Sequence, residues 1–222
     1  MSETEGAATP RGAFITMEGG EGGGKSTQAR ALVARLEAAG VAAIATREPG
    51  GSPMAEALRE KLLGGLFEPL GPRAEALLFA AARIDHLDEK IKPALAAGTW
   101  VVSDRFHDST RVYQGALGEL DPRFLDELER ITLAGTRPDL TLILDLPAEV
   151  GIARANARRG AAAAADRFER QTLAFHEGLR EAFLKIAAAE PERCLIVDAS
   201  QAPEEVEQAI WDAVTHRLRL PR

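Results

Sequence analysis

One octapeptide limits the folds open to this chain more than any other feature: Gly19-Gly20-Glu21-Gly22-Gly23-Gly24-Lys25-Ser26. It matches G-x-x-x-x-G-K-[ST], follows the apolar run AFITME at 13–18, and opens an amphipathic stretch that Gly40 stops. Glycines accept φ > 0 and have no Cβ to clash, so a backbone of this composition wraps closely around phosphates. Its amides converge as an anion nest at a helix N-terminus. Lys25 is placed to reach the β- and γ-phosphates of a nucleoside triphosphate, and the Ser26 hydroxyl to ligate Mg²⁺. Gly19, Gly20, Glu21, Gly22, Gly23, Gly24, Lys25, Ser26 and Thr27 are therefore the candidate ATP contacts. The cradle alone does not choose between a motor, a GTPase, a transporter ATPase and a small-molecule kinase. The guanine-specific N-K-x-D is absent, since Asn156 is the only asparagine, and 222 residues leave little room for modules that couple hydrolysis to motion.

The rest of the chain repeats the strand-then-helix alternation that the cradle begins. Short apolar runs at 13–18, 41–46, 99–103, 140–146 and 193–198 read as strands covered on both faces. Between them, helices are predicted at 26–39, 53–63, 73–97, 122–134, 147–158, 166–189 and 203–217, with Pro93 kinking the third. Residues 64–72 (GGLFEPLGP) are too rich in Gly and Pro for a helix and read as a surface connection. Such alternation implies right-handed βαβ crossovers. The expected fold class is α/β: a single doubly wound domain with a five-stranded parallel sheet flanked by helices. Residues 1–11 read as a flexible tail.

Composition narrows the partners. There are 27 basic against 34 acidic residues, a net charge of −7, so neither nucleic acid nor an anionic membrane is an expected partner. No apolar stretch is long enough to span a bilayer. The one cysteine, Cys194, excludes an intramolecular disulfide framework and a multi-cysteine zinc site, and fits a reducing, cytoplasmic setting.

A second constellation ends the strand at 99–103: Ser103-Asp104-Arg105-Phe106. The carboxyl ends of neighbouring parallel strands share one crevice, where ligands bind. Asp104 is then expected beside the Mg²⁺ held by Ser26, and Arg105 beside a second anionic group. Asp145, at the end of LTLILDL, is the competing metal acid.

These elements sit within longer segments. Asp104 to Gly115 (DRFHDSTRVYQG) resembles the DR[YFH]-x-x-S-x-x-[AV]-Y-Q-G signature of thymidylate kinases. Residues 46–52 (TREPGGS) resemble that family's T-R-E-P-G-G-[ST] element, 75–83 (EALLFAAAR) its E-x-L-L-F-x-A-x-R helix, and 166–169 (DRFE) the D-R-[IFM]-E after its lid. The similarity runs in family order from about Phe14 to Asp198.

The resemblance implies transfer of the ATP γ-phosphoryl group to dTMP, giving dTDP and ADP with Mg²⁺, by residues 12–222 acting as a P-loop nucleoside monophosphate kinase domain. It places Arg105 on the dTMP phosphate, with Glu21 holding that arginine and facing the sugar. It gives Phe79 the role of stacking on thymine and Arg83 that of bonding a thymine carbonyl, with Thr110 and Gln114 at the pyrimidine edge. Tyr113 would fill the space beside C2′, and Arg47, Glu48 and Pro49 would border the monophosphate site, with Glu48–Pro49 a candidate cis bond. The catalytic set is Lys25, Arg105, Glu21, Arg158 and Arg159.

The last two belong to a mobile lid at about 151–167. The cradle carries no arginine, so the missing cation is expected from Arg154, Arg158 or Arg159, with Arg158 and Arg159 preferred. The five alanines at 161–165 replace residues that are often polar in the family. Gly23 stands where the family usually carries a small residue with a Cβ. His86 and His107 read as bystanders. A homodimer is expected from the family, with the 73–97 helix contributing. The alternatives are another pyrimidine monophosphate kinase, acting on dUMP, UMP or CMP, and a nucleotide-binding module without catalysis.

Overall fold

The computed structural model describes residues 11–159 and 166–220, with the backbone alone at Arg159. Most of the predicted tail and the alanine run of the lid lie outside the described residues. Five strands, β1 (Phe14–Glu18), β2 (Ala43–Arg47), β3 (Trp100–Asp104), β4 (Leu140–Asp145) and β5 (Cys194–Asp198), form one parallel sheet in the order β2-β3-β1-β4-β5. The chain leaves β1 to one side for β2 and β3, then crosses to the other side for β4 and β5. The carboxyl end of β1 is thus the switch point where a crevice must open.

Around the sheet run α1 (Lys25–Ala38), α2 (Pro53–Leu63), α3 (Gly71–His86), α4 (Lys92–Ala96), α5 (His107–Thr110), α6 (Pro122–Leu133), α7 (Ala148–Arg159), α8 (Leu173–Ala189) and α9 (Pro203–Arg217). All five residues of β1 are buried, as a central strand covered on both faces requires. Alternate residues serve opposite faces. Ile15 and Met17 pack with Leu32 and Leu36 of α1 and with Val206, Ile210 and Val214 of α9. Phe14 faces the other way, against Leu87, Leu95, Phe106 and Leu133, and Phe183 and Leu179 of α8 cover Ile143 of β4 on that side. Each large apolar side chain buried this way contributes about 1.5–3 kcal/mol. By the same alternation Glu18, on the Phe14 face, is a carboxylate with no exposed surface.

The departures from the predicted elements have local causes. The helix at 73–97 is three pieces: α3, a π-turn at Leu87–Ile91, and α4. Pro93 has no N–H to give, and the ladder shifts one residue ahead of it, with Lys92 N–H reaching the Leu87 carbonyl. Gly71 and Pro72, assigned above to a loop, open α3, with Pro72 in the first turn where a missing donor is tolerated. The helix predicted from Asp166 starts instead at Leu173. Asp166 Oδ1 accepts from Phe168 N and Glu169 N, both at 2.9 Å, closing a turn, and Thr172 caps α8. Trp100 and Cys194 are buried.

Candidate active site

The loop between β1 and α1 lies in the crevice at the switch point. Gly22 has φ +72°, and a Cβ there would fall 2.1 Å from the Gly151 carbonyl oxygen at the start of α7, so this position excludes any side chain. Lys25 is 7 % exposed and folds over its own loop, donating to Gly20 O at 2.6 Å and Gly19 O at 3.1 Å. Burial, then the charge of Arg105, lowers its pKa to about 8.

Beside the loop, β3 delivers Asp104 and Arg105. Ser26 Oγ donates to Asp104 Oδ2, which puts a hydroxyl and a carboxylate together at the crevice mouth. Two hard oxygen donors suit Mg²⁺, which takes one or two protein ligands and fills its octahedron with phosphate and water. The competing acid, Asp145, is instead gripped by Arg180 at 2.7 and 2.9 Å.

Arg105 adopts φ 70°, a left-handed conformation that costs a non-glycine residue about 1–2 kcal/mol. Its N–H donates to Met17 O at 2.9 Å, and its carbonyl accepts from Ser103 Oγ at 2.8 Å. The guanidinium is fixed by Glu21 Oε1 at 2.6 Å, and by Gly19 O and Ser109 Oγ at 3.2 Å each, and it lies over the Tyr113 ring. Burial works against the Glu21 charge, but Arg105, Lys25 and Arg158 outweigh it and lower its pKa to about 2. Glu18 moves the other way. Burial, aided by Asp108, raises its pKa to about 7.

A cavity of about 230 Å³ opens from this point. Its far end is built by α3, where Phe79 and Arg83 share one face. Arg83 is 6 % exposed and donates through Nε to Glu48 at 2.6 Å, and through Nη2 to Thr110 Oγ1 at 3.1 Å and Phe106 O at 3.2 Å. Thr110, Tyr113, Gln114, Arg47, Glu48 and Pro49 line the same cavity, and the Glu48–Pro49 bond is cis. Glu48, however, commits its carboxylate to Arg83 and to His86, and Arg47 is turned to Glu56 at 3.1 Å.

The structure therefore gathers Glu21, Gly22, Gly24, Lys25, Ser26, Asp104, Arg105 and Arg158 with the α3 residues around one space. Gly19, Gly20, Gly23 and Thr27 belong to the loop and helix start but do not line it. Of the three lid arginines, Arg158 lines the cavity, with Glu169 3.8 Å away. Arg154 donates to the carbonyls of Ala199 and Ser200 instead, and the Arg159 side chain lies outside the described residues.

Three contributors escaped the sequence reading. Arg59 of α2 lines the cavity and donates to Pro49 O at 2.6 Å, but one arginine among the charges of an exposed helix gives no signal. His86, read above as a bystander, is fully buried and joins Thr46 Oγ1 at 2.7 Å to Glu48 at 3.1 Å. Glu18 did carry a signal, a lone acid closing an otherwise uncharged strand.

The chain is similar to known proteins over most of its length. The "Thymidylate kinase" family model matches residues 17–210. The chain is 56% identical over 208 residues to the thymidylate kinase of Bradyrhizobium sp. (strain BTAi1 / ATCC BAA-1182), covering 94% of this chain and 92% of the relative. It is 57% identical over 212 residues to that of Rhodopseudomonas palustris (strain ATCC BAA-98 / CGA009), covering 95% and 92%. The crystal structure of the Ehrlichia chaffeensis thymidylate kinase superposes with a TM-score of 0.74 at 30% identity, over 92% of this chain and all of that one. With the family model spanning most of the chain and relatives above half identity end to end, the chain belongs to the thymidylate kinase family.

Proposed function

We propose that this chain transfers the γ-phosphoryl group of ATP to dTMP, yielding dTDP and ADP. The observation that carries the reading is the two-ended cavity: Arg105, clamped by Glu21 at the phosphate cradle, faces Phe79 and Arg83 across a space of nucleotide size. Arg105 binds the dTMP phosphate, with Arg47 and Arg59 at the rim. Phe79 stacks on the base, while Arg83, whose Nε and Nη2 are held by Glu48, Phe106 and Thr110, donates through its remaining nitrogen to a thymine carbonyl beside Thr110 and Gln114. Tyr113, packed edge-on to Phe168 with ring centres 4.9 Å apart, limits room at the sugar.

Phosphoryl transfer passes through a loose transition state, so alignment and charge neutralisation dominate over general-base chemistry. Ser26 and Asp104 would hold Mg²⁺, which when bound neutralises the β- and γ-phosphates. Lys25 exchanges the Gly19 and Gly20 carbonyls for phosphate oxygens. Arg158 leaves Glu169 to meet the charge that develops during transfer, and residues 151–167 close as the lid. We further propose that residues 12–222 act as one kinase domain in the cytoplasm, as a homodimer. The support for the dimer is an apolar line along α3 and the residue before it, where Leu70, Leu77 and Ile84 recur every seven residues and are 63 %, 50 % and 40 % exposed.

A phosphate-acceptor panel of dTMP, dUMP, UMP, CMP and AMP with ATP tests the reading. dTMP should give the highest kcat/KM. Faster turnover of UMP or CMP, or no transfer despite binding of both nucleotides, would overturn it.

A further inference from the structure

We propose that Glu18 is a positioning residue that sets both substrate-binding arginines from inside the sheet. The inference rests on the assignment of Arg105 and Arg83 to dTMP. Glu18 ends the central strand and is wholly buried, and among the described residues no basic group lies within ion-pair distance of it. A buried carboxylate without a counter-ion is costly unless hydrogen bonds replace its water. Among the described residues, every hydrogen bond of the Glu18 side chain goes to one turn. Oε1 accepts from Phe106 N at 2.8 Å and Ser109 N at 3.3 Å, and Oε2 accepts from Ser109 Oγ at 2.7 Å.

That turn carries both arginine contacts. Ser109 Oγ, while donating to Glu18, accepts from Arg105 Nη1 at 3.2 Å, so the carboxylate reaches the guanidinium through one hydroxyl. The bond to Phe106 N pins the peptide that follows Arg105, the residue held at φ 70°. The carbonyl of Phe106 in turn accepts from Arg83 Nη2 at 3.2 Å. One carboxylate thus governs the spacing between the phosphate-binding and base-binding ends. The charged and titratable groups around it are Asp108, Arg105, Lys25 and Tyr113. Burial and Asp108 hold its pKa above the usual carboxylate value. A folded-state pKa raised above the unfolded one means that this carboxylate reduces stability as pH rises through that interval.

The test is Glu18→Gln in the full chain, with Ser109→Ala beside it. Glutamine can still accept from Phe106 N, but its amide nitrogen cannot accept the Ser109 hydroxyl. The expected result is a fall of about 10- to 100-fold in kcat/KM for dTMP, the scale of lost charge-assisted bonds, with KM for ATP within about threefold of wild type. The melting temperature at pH 8 should equal or exceed the wild-type value. Ser109→Ala should shift the dTMP parameters in the same direction by less. Unchanged kcat/KM for dTMP in Glu18→Gln, or equal loss toward both nucleotides, overturns the inference. Should Glu18→Gln melt below wild type, Ser109→Ala decides, and an unchanged dTMP KM there overturns it. Arg105→Ala separates the two levels: if it leaves dTMP turnover intact, the site assignment itself fails. A collapse there with Glu18→Gln intact removes only the role of Glu18.

Discussion

The two ends of the cavity are built by different means. At the cradle end, backbone conformation does the placing: Gly22 in a left-handed turn against Gly151, Lys25 folded on its own loop, and Arg105 at φ 70°. Its contacts are largely carbonyls and neighbouring loops, and it brings Lys25, Arg105 and Arg158 together with Glu21 and Asp104. At the α3 end, side chains do the placing. Phe79, Arg83 and His86 come from one helix; Arg83 and His86 meet Glu48 just after β2, His86 also meets Thr46 within β2, and the Arg83–Glu48 charge pair is neutralised and buried within the protein. The first end suits a group whose charge changes during reaction, and the second suits a group that must be recognised and held still.

That contrast predicts separable kinetic losses. The largest belongs to the cradle. Lys25→Ala should lower kcat by about 100- to 1,000-fold, the usual effect of removing one preorganised donor from a developing charge, with the melting temperature unchanged, because among the described residues the Lys25 ammonium bonds only its own loop. Steady-state rates and a melting curve check both halves; a near-wild-type rate would remove the cradle from the chemistry. Next is Arg158→Ala, whose contact forms on closure. It should lower kcat by about 100-fold while raising KM for dTMP only a few-fold. Equal changes in the two would make Arg158 a binding residue and blur the distinction between the ends.

At the α3 end, Phe79→Ala should act in the opposite manner. Loss of a stacking ring should raise KM for dTMP about tenfold and leave KM for ATP unaltered. Phe79 is only half-buried and lines the cavity, so the fold should survive its truncation. Isothermal titration with each nucleotide separately measures this, and equal loss toward both would return Phe79 to a packing role.

The same contrast explains what could be read from the chain. The cradle, the Asp104–Arg105 strand end and the five buried strands are local: their signals are glycine spacing and short apolar runs, so each could be located without knowing the fold. The α3 end was legible only through resemblance, because periodicity alone assigns Phe79 to a core and His86 to nothing in particular. Arg59 has meaning only once α2 is packed over the cavity. Glu48 shows the limit well. Its position at the cavity was expected, but its binding to Arg83 and His86 depends on α3 arriving opposite, a contact between residues 35 and 38 positions apart. The boundaries that moved, at Pro93 and at Asp166, moved where a missing donor or a side-chain acceptor outcompeted the helix ladder.

Within the cradle itself, two adjacent glycines give the smallest and sharpest test. Gly23 lies outside the left-handed region, and a Cβ there would meet Leu144 and Leu146 atoms at 3.5 Å, normal van der Waals distance. Gly23→Ala should therefore stabilise by about 0.4–1 kcal/mol, chiefly by restricting the unfolded chain. In a chain of this length that raises the melting temperature by about 1–4 °C. Turnover should stay within about threefold of wild type, since the loop need not move. Gly22→Ala, one residue away, meets both a left-handed φ and the Gly151 carbonyl at 2.1 Å. The only relief is to push the loop from α7, carrying with it Glu21 and the arginine it holds. It should lose stability and dTMP turnover together. If the two alanine variants behaved alike, backbone conformation would not be what places the cationic end.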